Sequence, residues 1–387
     1  MPAKRTKIPD DQLLDEVLAY FDDHGLLKTI SDGRGASTAF RHIKRACEKH
    51  LVRLVPVPQP LDKSELDDDL AQQVKDAFDL NQVRILNIAS ADQADEQKDR
   101  RFDDHVHRKL GQLAAGAISD SPMFRRGDVV GIGSGRGVYY TVATLKDFKP
   151  LPTEDITLIS LTGALYARNH ALDLTRCLDA DYHVALLAVC FKNSVRTYTI
   201  PDAIANNESK ISEIRRATVL HTARWPHVHH ALLGVGVLSR GHRFWEEANA
   251  PLKDQEPRLD PIRAPLKDLV AKCDEIGKKF QGTHYCPAAD IGNSLFFVRP
   301  PKSVSLAPGD ESLIRDKIDK INSLLLNVSK QQLQSIDSLI LVAGTKKKTL
   351  AIQELLTSRE YQIRYLYTDS QTAKTILADR DAPNHGE

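Results

Sequence analysis

Residues 128–145 read Asp128-Val129-Val130-Gly131-Ile132-Gly133-Ser134-Gly135-Arg136-Gly137-Val138-Tyr139-Tyr140-Thr141-Val142-Ala143-Thr144-Leu145, and this stretch decides the fold. A short apolar run passes through four glycines into a helical pattern. That predicts a strand, a tight loop and a helix start. Glycine lets the backbone pass close to a ligand and adopt positive φ. The N–H groups at a helix start then face an anion, favoured by the helix dipole. Ser134 adds a hydroxyl and Arg136 a fork of donors. Two readings stay open on these residues alone: a phosphate cradle, or a strand-to-helix turn whose glycines serve close packing. A Walker loop is excluded, because no Gly-Lys-Ser/Thr follows. The Gly-x-Gly-x-Gly-x-Gly spacing, with no acidic residue closing the next strand, also disfavours a dinucleotide fingerprint.

Outward from this loop, strands and helices alternate. Before it lie a helix over 70–78, a strand over 83–88, a polar loop over 90–100 and a helix spaced by Leu110, Leu113, Ala114, Ala117 and Ile118. After it come a strand at 156–161 ending in Thr162-Gly163 and a helix at 169–178. The near-continuous apolar run 183–191 is expected to be a central parallel strand. A helix at 211–222 and a strand at 231–238 follow. Residues 240–264, rich in proline and charge, read as an exposed excursion. A helix at 266–280, a strand at 294–298 and a Pro/Gly break at 300–311 come next. The chain closes with a strand at 338–343, a helix at 348–356, a strand at 363–367 and a helix at 372–377. This alternation predicts a doubly wound α/β domain with its ligand at the carboxyl ends of the strands.

With 387 residues the chain is long enough for more than one domain. It is 41% hydrophobic and 27% charged, with net charge +1. No overall field draws it to nucleic acid or membrane, so any basic surface is local. The five cysteines are scattered without a Cys-x-x-Cys pair, as reduced thiols in a cytoplasm would be. Residues 1–10 lack the apolar core of a signal peptide, and no apolar run reaches the length of a membrane span.

The first 58 residues differ from the rest. A helix over 10–24 precedes a Gly33-Arg34-Gly35 turn, and a second helix runs over 37–50. Lys28, Arg34, Arg41, Lys44, Arg45, Lys49 and Arg53 outnumber Asp32 and Glu48 between 28 and 53. A helix-turn-helix domain would lay such a second helix in the major groove. Taken alone, however, the segment is better described as a solvated helix on a small helical cap. Residues 59–69, rich in Pro, Ser and Asp, read as a linker.

Taken in order, these pieces resemble the SorC (DeoR-like) family of bacterial sugar-responsive transcriptional regulators. Residues 37–52 resemble the family's recognition helix and following strand, and 127–136 its glycine loop. Residues 156–164 resemble the strand ending in a Gly-rich turn, and Leu232-Leu-Gly-Val-Gly-Val-Leu238 its Gly-x-Gly strand. Val342-Ala-Gly344 through Lys348, with Ala351-Ile352, is similar to an Ala-Gly-Gly-x-x-Lys-x-x-Ala-Ile signature. Tyr367-Thr-Asp369 and Thr372-Ala373 resemble the last strand and helix.

The resemblance implies an N-terminal helix-turn-helix DNA-binding domain at 1–58. It implies an effector domain at 70–387, similar in fold to ribose-phosphate isomerase and glucosamine-phosphate deaminase, that binds a phosphorylated sugar without a cofactor. It also implies a cytoplasmic homodimer or homotetramer bound to operator DNA. Operator contacts would come from Ser37, Thr38, Arg41, His42, Lys44 and Arg45. Gly131, Gly133, Ser134, Gly135, Arg136 and Gly137 would hold the phosphate, Lys348 would add a point charge, and Thr162 and Gly163 would line the opposite lip. The chain departs from the family where a threonine after the loop arginine is replaced by Gly137 and a second glycine by Thr345. The family's Gly-Asp step falls on Gly282-Thr283, with Asp290 as a further match.

The other reading is an isomerase- or deaminase-like enzyme, which needs a carboxylate or His beside the sugar to move a proton. Asp290 is the one residue named for that role. His221, His227, His229 and His230 lack the spacing of a metal site and read as a polar turn.

Overall fold

The computed structural model describes residues 42, 44–46, 49 and 61–381, apart from 89–99, 121–122, 149–150, 152–153, 164–178, 194, 201–207, 222, 224, 240–241, 250–259, 281–284 and 302–303. The chain divides into two compact units, Met1–Pro58 and Gln59–Glu387. In the first, His42 and residues 44–46 are helical, and Ala46 is fully buried. Ser37, Thr38 and Arg41 lie outside the described residues, as do the helices expected at 10–24 and 169–178.

The second unit is built on a seven-stranded parallel sheet and a three-stranded antiparallel one. The strands are β1 (Gln82–Leu86), β2 (Val129–Ile132), β3 (Thr157–Ser160), β4 (Arg196–Tyr198), β5 (His230–Leu233), β6 (Val235–Val237), β7 (Ala288–Ile291), β8 (Ser294–Phe297), β9 (Ser338–Val342) and β10 (Ile363–Asp369). The large sheet has the order β1-β10-β9-β5-β2-β3-β4 and the small one β6-β7-β8. From β2 the chain winds outward through β3 to β4. It then returns to the other side of β2 at β5 and continues through β9 to β10. The winding therefore reverses between β2 and β5, at a topological switch point.

The helices are α1 (Asp68–Phe78), α2 (Arg100–Asp120), α3 (Arg136–Leu145), α4 (Ala180–Ala188), α5 (Glu208–Ala217), α6 (Arg243–Asn249), α7 (Asp260–Lys279), α8 (Asp310–Leu324), α9 (Lys330–Gln334), α10 (Thr349–Ser358) and α11 (Ser370–Asp381). Central parallel strands are buried on both faces, so alternate side chains enter opposite cores. On β9, Leu339 and Leu341 join one core with α1, α7, α8 and α10. Ile340 and Val342 join the other with α2, α3 and α4. Leu233 and Leu232 on β5 divide the same way.

Several expectations are corrected. The run at 183–191 is not a central strand: Ala180–Ala188 is helix α4. Ala180, His183, Val184 and Leu187 are buried, at i, i+3, i+4 and i+7 spacing, while Val189 just beyond is 71% exposed. A continuous apolar run does not by itself separate a buried strand from a helix. The Ala and Leu content here, with few β-branched residues, favours the helix. The strand beside β3 is instead the exposed edge strand β4.

The strand expected at 231–238 breaks at Gly234 into β5 and β6, which belong to different sheets. Within 240–264 the described residues form α6 and the first turns of α7, with Pro265 buried inside the helix. The helix α8 follows the Pro/Gly break directly from Gly309 at φ +83°, and β7 is an added strand. Residues 62–69, within the expected linker, fold onto β1. Asp62 and Glu65 form a capping box, Asp67 N–H donates to the Ile85 carbonyl at 3.0 Å, and Asp67 caps α1 through Leu70 N–H.

Candidate functional site

The carboxyl ends of β9, β5, β2 and β3 lie side by side, and the glycine loop leaves β2 next to the switch point. Its glycines have separate causes. A side chain on Gly133 would strike Leu233, and one on Gly137 would meet the Val342 carbonyl at 2.6 Å. Gly137 thus lets the first turn of α3 rest on the end of β9. Gly135 has φ +113° in open space, so there the backbone conformation itself calls for glycine. Gly131 packs under Leu161.

Gly135 is the N-cap of α3 and supplies no side-chain cap. The first hydrogen bond of the helix runs from Tyr139 N–H to the Gly135 carbonyl at 2.9 Å. The first-turn N–H groups therefore have no intrahelical acceptor and point out of the helix end. Arg136, half-buried at the same end, forms no side-chain hydrogen bond or ion pair with the described residues. Together these donors suit an anion.

Buried polar groups surround the loop. His183 Nδ1 lies 2.9 Å from the Gly133 carbonyl and donates to it, tying α4 to the loop. Ser134 is buried, and its hydroxyl donates to Asn293 Oδ1 at 2.8 Å. Asn293 N–H donates to Asp290 Oδ2 at 3.1 Å. His242 Nε2 donates to Asp290 Oδ1 at 2.7 Å. Gly236 stands opposite Asp290 in the β6–β7 register. A Cβ there would collide with the Asp290 carboxylate and the His242 ring. The second glycine of the Gly234-Val-Gly236 pair thus makes room for this hydrogen-bonded pair.

Thr162 is buried at the end of β3, and its hydroxyl has no partner among the described residues. The Gly163 N–H is already engaged by the Leu326 carbonyl at 3.2 Å. Beyond β9, Asp369 is buried and accepts from Thr345 N–H at 2.6 Å, Thr372 N–H at 2.9 Å and the Thr372 hydroxyl at 2.8 Å. These bonds hold Thr345 at φ +85°, the position of the family's second glycine. A side chain on Gly344 would strike the same carboxylate. The turn so fixed carries Lys348, whose ammonium donates to His107 Nε2 of α2 at 2.8 Å. The structure thus brings Gly131 to Gly137, Thr162, Gly163, Asp290 and Lys348 to the carboxyl end of the sheets, with Asp290 reaching the loop through Asn293.

His227, His229 and His230 sit near the opposite edge, where β5 begins. His227 pairs with Asp337 at 2.7 Å and His230 with Asp128 at 3.3 Å. Burial holds the His230 imidazole below its ordinary range, opposed by Asp128. Among the described residues no cluster of three or more His, Cys, Asp or Glu could hold a metal, and no helix is long and apolar enough to cross a membrane.

Sequence reasoning missed Asn293, His242 and His183. Asn293 was legible, because Gly292-Asn293 between two short apolar runs signals a hairpin with positive φ at both central residues, and their φ values are +54° and +64°.

A doubly wound sheet with an uncapped helix start at its switch point defines the class of α/β domains that take ligands at the carboxyl ends of their strands. Residues 62–257, half of the chain, match the family described as Putative sugar-binding domain. The chain belongs to that family, the sugar-binding domain of SorC/DeoR-type transcriptional regulators. No curated protein matches the chain. The solved structures that share its fold include the following three. One is a transcriptional regulator from Streptococcus pneumoniae TIGR4, 14% identical, with TM-score 0.55 over 81% of this chain and 97% of that one. Another is the full-length sorbitol operon regulator SorC from Klebsiella pneumoniae, 16% identical, with TM-score 0.52 over 95% of this chain and 99% of that one. The third is a DeoR family transcriptional regulator from Listeria monocytogenes, 15% identical, with TM-score 0.53 over 80% of this chain and 99% of that one.

Proposed function

We propose that this protein is a DNA-binding transcriptional regulator whose C-terminal domain takes a phosphorylated sugar and performs no chemistry on it. The observation that carries the reading is the start of α3. Its first-turn N–H groups and the half-buried Arg136 lie at the switch point with no carboxylate cap or ion pair among the described residues. The phosphate accepts from these groups, and Lys348 adds charge from the β9 turn. The sugar extends toward Thr162 and Asn293. The ligand draws the β2 and β9 loops together and so alters how subunits of a homodimer or homotetramer hold their N-terminal units on operator DNA. It shifts that equilibrium only by its differential affinity for the two arrangements. Asp290 supports a binding role, because both its oxygens are occupied by His242 and the Asn293 N–H. A proton-transferring base needs an oxygen turned to the substrate.

Thermal-shift screening of the full chain against sugar phosphates tests this reading. A ligand at a hundred times its Kd stabilises by about 2.7 kcal/mol. The same ligand should change the affinity for selected operator DNA and be recovered unaltered by NMR. Turnover that disappears in Asp290→Asn would instead support the enzyme.

A further inference from the structure

Asn293 and a bound phosphate would compete for the Ser134 hydroxyl proton. The Ser134 hydroxyl has one proton, now directed to Asn293 Oδ1. If a phosphate at the α3 start accepts that proton, Asn293 Oδ1 loses its donor. The other end of the same amide is orphaned as well: Asn293 is 1% exposed, and its Nδ2 has no hydrogen-bond partner among the described residues. A buried amide with neither end satisfied is costly. Its backbone is fixed, since the N–H is held by Asp290, which is held in turn by His242. The tip of the hairpin cannot easily turn the amide elsewhere. A neutral group that both donates and accepts satisfies both ends at once, and a hydroxyl is such a group. The Thr162 hydroxyl, buried at the end of β3 with no partner among the described residues, is a second neutral site of the same kind.

We infer that Asn293 is the specificity-determining residue of this site: its side-chain amide reads a hydroxyl of the ligand, accepting from it at Oδ1 and donating to it from Nδ2. Asp290 and His242 are positioning residues that hold the hairpin tip beside the glycine loop. The ligand class is a polyhydroxylated phosphate ester rather than a bare anion. This inference rests on the reading of the glycine loop as a phosphate site.

The test measures a ratio. Inorganic phosphate, ribose 5-phosphate, glucosamine 6-phosphate and glucitol 6-phosphate are titrated calorimetrically into the full chain, Asn293→Gly and Asn293→Asp. Glycine tolerates the positive φ. Aspartate keeps the shape and the acceptor for Ser134 but removes the Nδ2 donor, and its added charge penalises every anion alike. Circular dichroism confirms that each variant is folded. The expected result is that the best sugar phosphate exceeds inorganic phosphate in the parent and that this advantage falls about tenfold in both variants, the worth of one buried hydrogen-bonded group. In Asn293→Gly, affinity for inorganic phosphate itself does not fall, because the amide that a bare phosphate would strand is gone. An undiminished advantage in both variants overturns the role of Asn293 and leaves the phosphate loop standing. A parent that binds none of the four ligands overturns both.

Discussion

Two glycines on one helix give opposite predictions for the same substitution. Gly111 and Gly116 both lie within α2, and Ala at either gains helix propensity of about 1 kcal/mol. A Cβ on Gly111 would meet the Tyr140 carbonyl carbon at 2.6 Å and Thr141 N at 2.8 Å, both backbone atoms of α3, besides the Tyr140 Cβ. A Cβ on Gly116 would meet nothing within 4 Å. Restoring an ordinary separation of 3.4 Å at Gly111 requires α2 and α3 to part by at least 3.4 − 2.6, or about 0.8 Å. Overpacking of that kind costs about 1–3 kcal/mol. The propensity gain is common to both variants and cancels in their difference, so Gly111→Ala should be less stable than Gly116→Ala by about 1–3 kcal/mol. Gly116→Ala itself should exceed the parent by about 0.4–1 kcal/mol. Urea unfolding followed by tryptophan fluorescence isolates the larger unit, because both tryptophans, Trp225 and Trp245, lie within it. Midpoints are compared at unchanged slope. Equal shifts of the two variants in one direction would refute the helix contact as the reason for Gly111.

Three further predictions concern a buried turn, a buried histidine and the basic helix. Asp369→Ala should destabilise the larger unit by about 2–4 kcal/mol in the same urea assay, because it strands three donors in a buried turn. His230 is held neutral by burial, which lowers its folded pKa below the ordinary 6.5. The unfolded chain therefore takes up the proton first, and stability should fall as pH drops below about 6.5. His230→Gln should flatten that slope between pH 7 and 5, and an unchanged slope would remove the assignment. Replacing Arg41 and Arg45 together by Ala should weaken operator binding and reduce the log–log salt slope by about two units; an unaltered slope would mean that these side chains touch no phosphate.

The regular α/β alternation was legible because the central strands β2, β5 and β9 carry apolar runs bounded by glycines, and the loop-to-helix step at 133–137 announces its own geometry. The run at 183–191 was not, since its composition suits a buried helix as well as a buried strand and the local pattern lacks the contact that decides. β4 was invisible for the opposite reason: Arg196-Thr197-Tyr198 is an exposed edge segment with no apolar signal. The glycine pair at 234–236 looked like one continuous strand. Only the structure shows that the chain changes sheets there and that Gly236 leaves room for Asp290 and His242. Ser37, Thr38 and Arg41, which the family resemblance assigns to operator contacts, stay with the sequence, outside the described structure.

The central claim is that the start of α3 binds the phosphate of a sugar phosphate, and Arg136 tests it most directly. Sugar phosphates titrated calorimetrically into the parent and into Arg136→Met should bind the variant about 10- to 150-fold more weakly, the loss of a charge-assisted contact of about 1.5–3 kcal/mol. Equal affinity in parent and variant would contradict the account.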